Sequence, residues 1–353
     1  MGAEIECGDV DTTKCVLGIG QALLDLVAHV PSEFLAEYGL ELNNFVLADE
    51  SKQGLFDRLV KEFQVDYVPG GAIMNTCRVV QGMLNRSQSA AFIGRIGDDS
   101  FGMLLAEKCA EEKLFTHFQK SATSRTGVCA VLVGVSGERS LCTALGASAQ
   151  SLYELSTCRD AKKAIQDAVI IYMGSFLFNT KDGLKTILFA GQEAKKNGKV
   201  FALNLSAPWL VETFIKEILQ VLPFADFVFC NESEAAMLGQ VQNWGQDLGD
   251  IALKLATLPM AQGSKELTRT VVFTQGPHPT LVAYDGVLKE YPVPILRTEE
   301  IVDKNGCGDS FCGGFFASLA VDILRHKPIS IDACVAAGHF AAGKVIQHSG
   351  CAL

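Results

Sequence analysis

Apolar and polar positions along this chain fall into two rhythms. Short, wholly apolar runs such as Cys15–Gly20, Val169–Met173, Val200–Leu205, Phe227–Cys230 and Thr270–Thr274 have the length of buried strands. Between them lie longer stretches with apolar residues spaced three and four apart. In Ser51–Phe63, for example, Leu55, Phe56, Leu59, Val60 and Phe63 form one helical stripe. From about Ala161 the alternation becomes regular. Predicted helices follow the strands at Gly183–Lys196, closed by Asn197-Gly198, and at Trp209–Leu222, with Pro208 in the first turn. Further helices are predicted in Glu232–Gly239, Leu248–Leu258 and Ile331–Gln347, and two more strands follow Thr270–Thr274. Strands alternating with crossover helices predict an α/β fold, a mostly parallel sheet in three α/β/α layers.

The first part of the chain departs from that rhythm. It reads as a strand Leu23–Val30, a strand Asp66–Val68, a helix from Gly70-Gly71 through Leu84, a strand Ser89–Ile93 and a helix Ser100–Glu112 capped by Ser100. Thr126–Val135 and Arg139–Leu145 read as a hairpin turning at Ser136-Gly137. The strand-rich parts are too short to stand alone. They are expected to form a small lid domain, residues 23–67 and 125–145, on a large catalytic domain of residues 1–22, 68–124 and 146–353. Candidate hinges are Gly70-Gly71 and the junctions near Gly20 and Gly146.

The 353 residues are 48% hydrophobic and 20% charged, enough for a large core. A net charge of -10 without any Lys/Arg run argues against a nucleic-acid polymer as partner. Met1–Asp11 has no apolar leader segment, and no run reaches the ~20 apolar residues of a membrane helix. The 12 cysteines include no Cys-x-x-Cys pair and the 6 histidines show no metal spacing, so reduced thiols in a cytoplasmic monomer are expected. The tail Gly350-Cys351-Ala352-Leu353 is not a prenylation box, and it resembles a peroxisomal Ser-Lys-Leu address only loosely.

Chemistry concentrates in Asp303–Phe315, where Gly306-Cys307-Gly308 precedes Asp309 and an apolar helix. Small residues at a helix start leave several N–H groups pointing outward, a ready anion site. A carboxylate there suits a base that takes a proton from a hydroxyl while the turn holds a phosphoryl group. An ordinary first-turn carboxylate after a plain turn is the other reading, and this stretch alone leaves both open. No P-loop is present, because neither Gly198-Lys199 nor Gly343-Lys344 is followed by Ser or Thr. The dinucleotide fingerprint fails too, since Leu23 holds the third glycine position after Gly18-Ile19-Gly20. The Ser206 and Ser310 contexts lack a nucleophile elbow.

Three more stretches stand with that one: Gly20–Asp25, Gly70-Gly71-Ala72-Ile73-Met74-Asn75 and Asn231-Glu232-Ser233-Glu234. A carboxylate at Asp25 can accept from two vicinal hydroxyls. Gly71 allows close approach, and Asn75 can donate and accept. Asn231 and Glu234 lie one helical turn apart with oxygen donors that suit Mg2+, although a capped acidic helix start reads the same way. Phe176 and Trp209 offer flat apolar surfaces for a purine, or are plain core.

Together these stretches resemble the ribokinase-like (PfkB) carbohydrate and nucleoside kinases, and within them the adenosine-phosphorylating branch. The resemblance runs from about Val16 to Cys351 and includes Arg139-Ser140-Leu141, Asn204–Pro208, Phe273-Thr274-Gln275-Gly276, Ala337-Gly338-His339 and Ser349-Gly350-Cys351. It implies ATP and Mg2+ as cofactors and adenosine as substrate, with Asp309 as base and the Gly306, Cys307 and Gly308 N–H groups as anion hole. Asp25, Gly70, Gly71 and Asn75 would grip the ribose, and Leu47, Cys129, Leu141 and Thr143 would complete a purine wall with Phe176 and Trp209. Arg139 would reach the transferring phosphoryl group. Asn231 and Glu234 would serve the metal and triphosphate, with Thr274, Gln275, Gly276, Asn305 and His339 around the second nucleotide. Departures from the family pattern are Lys304 and Cys307 for Thr and Ala, Gln21-Ala22 for Asn-Pro, and Phe45 for a polar residue. Other nucleoside or sugar kinases, and a silent nucleotide sensor, remain alternatives.

Overall fold

The computed structural model describes residues 10–353 except 43, 53, 135–137, 262–267, 349 and 352. The described strands are β1 Val16–Ile19, β2 Leu23–His29, β3 Phe45–Leu47, β4 Asp66–Gly70, β5 Ala90–Gly97, β6 Phe115–Ser121 and β7 Gly127–Val133. They continue as β8 Arg139–Ala144, β9 Ile170–Gly174, β10 Val200–Asn204, β11 Phe227–Asn231, β12 Thr270–Gln275, β13 His278–Tyr284 and β14 Val287–Tyr291. Nine form one sheet in the order β14-β13-β12-β11-β10-β9-β1-β5-β6, and five form a second in the order β3-β8-β7-β2-β4.

The large sheet is parallel from β6 through β12; β13 runs against it, and β14, antiparallel to β13, runs with the rest. Alternate side chains on each strand go to opposite faces. Val16, Ile170, Tyr172, Val200 and Ala202 pack against the helices Ala72–Leu84, Cys307–Leu324 and Ile331–Val345. Leu17, Ile19, Ile171, Met173, Phe201 and Leu203 pack against Gly183–Lys196, Pro208–Val221, Glu232–Val241 and Leu248–Ala256 on the other side. A strand buried on both faces must read as a continuous apolar run, which is the pattern in the sequence. The helix Cys307–Leu324 is apolar on all sides because other elements enclose it. It is long and apolar enough to cross a membrane, yet Phe311, Phe315, Phe316 and Leu319 are core.

The small sheet is mixed: β2 runs parallel to β7 and antiparallel to β4, β8 antiparallel to β7, and β3 parallel to β8. Leu24, Leu26 and Ala28 face a cluster with Phe34, Leu35, Leu55 and Leu59 from the helices Ser32–Glu37 and Leu55–Glu62. The opposite face, carrying Asp25, looks toward the large sheet's helix starts.

Several local expectations are corrected. Asp99, not Ser100, caps its helix, with its Oδ1 accepting from the Gly102 N–H at 2.8 Å. The helix expected from Ser51 begins at Leu55, because Gly54 adopts a left-handed φ of 84° and separates it from a short 3-10 turn. The helix Arg159–Asp167 and the edge strand β6 have no apolar run to announce them, since charged and polar residues dominate both. The Ser136-Gly137 turn lies outside the described residues, while the flanking β7 and β8 pair antiparallel.

Candidate active site

A cavity of about 490 Å³ lies between the two sheets, and one of about 170 Å³ adjoins it at the carboxyl ends of β10, β11 and β12. Ala72, Phe176, Gly306 and Asp309 line both. In parallel α/β sheets this edge is where ligands sit, because strand ends and helix starts converge there.

Strand register builds the larger cavity's wall. Val68, Asp25, Cys129, Thr143 and Leu47 are successive cross-strand partners on β4, β2, β7, β8 and β3. Two residues along, Asp66, Val27, Val131, Leu141 and Phe45 form the next row. Both rows line the cavity, because residues two apart on a strand share a face. Phe45 and Leu47, at 42% and 40% exposure, form its open rim. Asp25 is the carboxylate of a row whose other members are apolar, thiol or hydroxyl side chains. A Cβ on Gly70 would lie 2.1 Å from Asp25 Oδ1, so the carboxylate fits only against a bare Cα.

Opposite this wall, Gly71 turns the chain into the helix Ala72–Leu84 at a φ of 101°, and a Cβ there would come within 2.5 Å of the Gln21 carbonyl. Asn75 follows in the first turn, and its Nδ2 donates to Asp309 Oδ2 at 3.1 Å. Thr76 Oγ1 donates to the Asp309 carbonyl at 3.1 Å, tying the two helix starts together.

Gly306 caps the Asp309 helix in a left-handed conformation, φ 74°. The Ser310 N–H and hydroxyl both donate to its carbonyl, at 2.8 and 2.7 Å. The helix then opens with N–H groups that have no intrahelical acceptor. A Cβ on Gly306 would lie 1.9 Å from Cys351 Sγ, so the chain's tail packs directly on this crook. Upstream, Asp303 accepts from the Asn305 N–H at 3.0 Å, the Gly350 N–H at 3.4 Å and Arg139 Nη1 at 3.0 Å. Arg139 thus joins β8 of the small sheet to the loop before Asp309.

Burial is the main influence on the carboxylates. It pushes Asp309 up to about 7, with the Asn75 amide opposing. Burial likewise pushes Asp25 up to about 7, opposed by Arg78 and assisted by the Asp309 charge. Glu234 rises to about 7 by burial, opposed by the Asn231 N–H and assisted by Glu232 and Asp309. A carboxylate with such a proton affinity can take a proton from a hydroxyl near neutral pH. Burial and the Asp303 and Asp309 charges push the Cys307 thiol up to about 11, against the pull of Lys304, so it stays neutral.

The larger cavity brings together Asp25, Gly71, Asn75, Leu47, Cys129, Leu141, Thr143, Arg139, Phe176, Trp209, Asn305 and Asp309. Phe176 and Trp209 meet edge-on, centroids 6.4 Å apart at 62°, so they form a corner and not two plates around a base. Asn305, expected beside the second nucleotide, lines this cavity because the Asp303 carboxylate folds its N–H inward. The smaller cavity gathers Asn231, Glu234, Thr274, Gly306, Gly308 and Asp309. Asn231 Oδ1 accepts from the Glu234 N–H at 2.9 Å, and Glu234 Oε2 from the Asn231 N–H at 3.0 Å, a reciprocal capping box. One buried carboxylate with neighbouring oxygens fits a Mg2+ that keeps most of its waters.

Five expected residues line neither cavity. Gly70 lies behind the Asp25 carboxylate, which packs on its Cα. Cys307 points its thiol at the Asp303 carbonyl, 3.9 Å away. Gln275 Nε2 donates to the Pro279 carbonyl, and Gly276 makes the turn into β13 at a φ of 54°. His339 Nε2 lies 2.9 Å from Thr280 Oγ1 and its ring packs on Phe311. Sequence reading also passed over Arg78, Asp303 and Cys351 as cavity residues. Arg78 carries a signal, the sole charged side chain of a largely apolar helix, whereas Cys351 enters the sequence reading only through the resemblance at Ser349-Gly350-Cys351.

The profile described as pfkB family carbohydrate kinase matches residues 33–353. The chain belongs to that family. This pfkB kinase is 39% identical over 336 residues to "Adenosine kinase" of Dictyostelium discoideum, covering 95% of each chain. It is 38% identical over 339 residues to "Adenosine kinase 2" of Arabidopsis thaliana, covering 95% of this chain and 94% of that one. Among solved structures, the Anopheles gambiae adenosine kinase in complex with P1,P4-di(adenosine-5) tetraphosphate superposes with TM-score 0.85 at 34% identity, over 96% of this pfkB kinase and 97% of that chain. The Schistosoma mansoni adenosine kinase in complex with 2-fluoroadenosine gives 0.84 at 31% identity, over 98% of each.

Proposed function

We propose that this kinase transfers the γ-phosphoryl group of ATP to the 5′-hydroxyl of adenosine, giving AMP and ADP. The observation that carries the reading is Asp309, a buried carboxylate with a raised proton affinity at the junction of two cavities. The larger cavity has the features a nucleoside requires: the carboxylate of Asp25 beside Asn75 for a diol, and an apolar wall with an aromatic corner for a base. Relatives whose names and bound ligands point to adenosine support the choice of substrate.

Asp309 accepts the proton of the 5′-hydroxyl as its oxygen attacks phosphorus. The Asn75 amide holds the carboxylate in place for that transfer. The N–H groups of Gly306, Cys307 and Gly308 face the charge that develops on the phosphoryl oxygens. Arg139, paired with Asp303 just before this turn, would assist at the same group. Residues 23–67 and 125–145 act as a lid that keeps water from the phosphoryl group. Glu234 and Asn231 would hold Mg2+ through its waters, and the metal would supply charge neutralisation on the phosphates.

Replacing Asp309 by Asn should lower kcat by on the order of 1,000-fold or more, with adenosine affinity kept within about tenfold. Near-native turnover in that variant would remove the base assignment. A panel of adenosine, inosine, guanosine and ribose with ATP, read by ADP release, tests the substrate. Faster turnover of any other member would replace adenosine in this reading.

A further inference from the structure

Arg78 follows Asn75 by one turn on the helix Ala72–Leu84 and reaches the larger cavity's lining while only 5% exposed. A guanidinium buried this deeply must be matched by partners, or it destabilises the fold. Glu112 takes two of its donors, with Nε and Nη2 each 2.6 Å from a carboxylate oxygen. The remaining arm faces the site: Nη1 donates to the Pro69 carbonyl at 2.7 Å and approaches Asn75 Oδ1 at 3.4 Å.

The consequence for Asn75 follows from its chemistry. An amide side chain has one accepting and one donating end. Here the oxygen faces a cation and the nitrogen faces the Asp309 carboxylate. The flipped amide would set its NH2 group against the guanidinium and its oxygen against the carboxylate. Both contacts would be repulsive, so Arg78 selects one orientation. The Pro69 carbonyl immediately precedes the Gly70-Gly71 turn, over which the Asp25 carboxylate lies.

We propose that Arg78, braced by Glu112, is a positioning residue that orients the Asn75 amide toward Asp309 and holds the turn beneath Asp25 in its nucleoside-gripping shape. This rests on the nucleoside kinase reading above. The charged and titratable groups facing Asp25 are Arg78, Asp309 and the Cys129 and Cys351 thiols. Those facing Asp309 are Asp25, Glu234, Tyr172, Cys307, Cys312 and Cys351. Arg78 is the cation of the Asp25 set, so its charge favours the ionised carboxylate.

Three variants test this: Arg78→Met, Arg78→Lys and Glu112→Gln, each assayed for adenosine KM, kcat and the pH profile of kcat/KM, with folding followed by circular dichroism. Arg78→Met should lower kcat/KM on the order of 100-fold, mostly through KM, as misplaced binding groups do. Its acid limb should move up by about one pH unit when Asp25 loses the facing cation. Arg78→Lys should restore the limb but not KM, because an ammonium carries the charge without the fork. Glu112→Gln should raise KM roughly tenfold by loosening the brace. A folded Arg78→Met with wild-type KM and acid limb overturns the proposal. If Arg78→Met does not fold, Glu112→Gln decides: a KM within about twofold of wild type overturns the proposal and a rise near tenfold supports it. Failure of the functional reading itself looks different, since wild-type protein would then release no ADP from ATP and adenosine.

Discussion

The two chambers that meet at Asp309 are built in opposite ways. The smaller is made from chain ends: the last residues of β10, β11 and β12 and the first turns of the helices after β11 and before Phe311. The polar groups it offers are mostly helix-start N–H groups and short polar side chains, each supplied by a contiguous stretch. The larger takes every second residue from five strands, aligned only by cross-strand register. A phosphoryl group carries charge that backbone dipoles can meet, so a local turn suffices. A nucleoside presents a flat apolar base and a hydroxyl-bearing sugar, so it needs side chains of several kinds brought to one face. A slip of β8 by one residue would replace Leu141 and Thr143 in the wall with Ser140 and Cys142, which now face the other way.

The contrast predicts where single substitutions do most damage. After Asp309, which both chambers share, Gly306→Ala should be the most harmful in the smaller chamber, lowering kcat on the order of 100-fold, because a 1 Å shift of the crook misplaces the phosphoryl group. The added methyl meets Cys351 Sγ and the positive φ of 74° strains the backbone as well. Adding Cys351→Ala should recover only the part due to the collision. Full activity of Gly306→Ala in a coupled ADP assay would show that the turn is not shaped as tightly as its geometry indicates.

At Asp309 the contrast becomes one of stability. Its carboxyl is held at about 7 against an ordinary 3.8, so the folded state binds that proton more tightly than the unfolded chain does. The stability this adds is fully present below the unfolded value and is lost as pH rises through about 7. Asp309→Asn should therefore melt higher than wild type at pH 8, by up to a few kcal/mol in unfolding free energy, with the gap closing toward pH 4. Equal melting temperatures at pH 8 would mean that the carboxylate is not strained by burial. The smallest effect is expected at the rim. Leu47→Ala should raise adenosine KM only about threefold and leave the melting temperature almost unchanged, since the side chain is 40% exposed. A loss as large as that of Gly306→Ala would mean that the rim closes fully over the ligand.

Much of this was legible before folding, for a definite reason. The parallel core strands announce themselves because burial on both faces forces unbroken apolar runs, as in Ile170–Gly174. The turn Gly306–Gly308 and the pair Asn231 and Glu234 are read from a few adjacent residues, because a helix start is a local structure. Elements held mainly by neighbours escaped notice. The strand β6 pairs with β5 although its own pattern is polar. Arg78 went unread because the residue that braces it, Glu112, lies 34 positions along the chain.

The amino-acid order alone determined the layered α/β architecture, the family and the glycine turn before Asp309, since each rests on periodicity or on residues next to one another. Which side chains share the larger cavity's wall, that Phe176 and Trp209 make a corner, that Arg139 meets Asp303 and that Cys351 backs Gly306 were decided only by tertiary structure. Those contacts join residues distant in sequence. Their geometry depends on strand register and helix placement, which the whole core sets together.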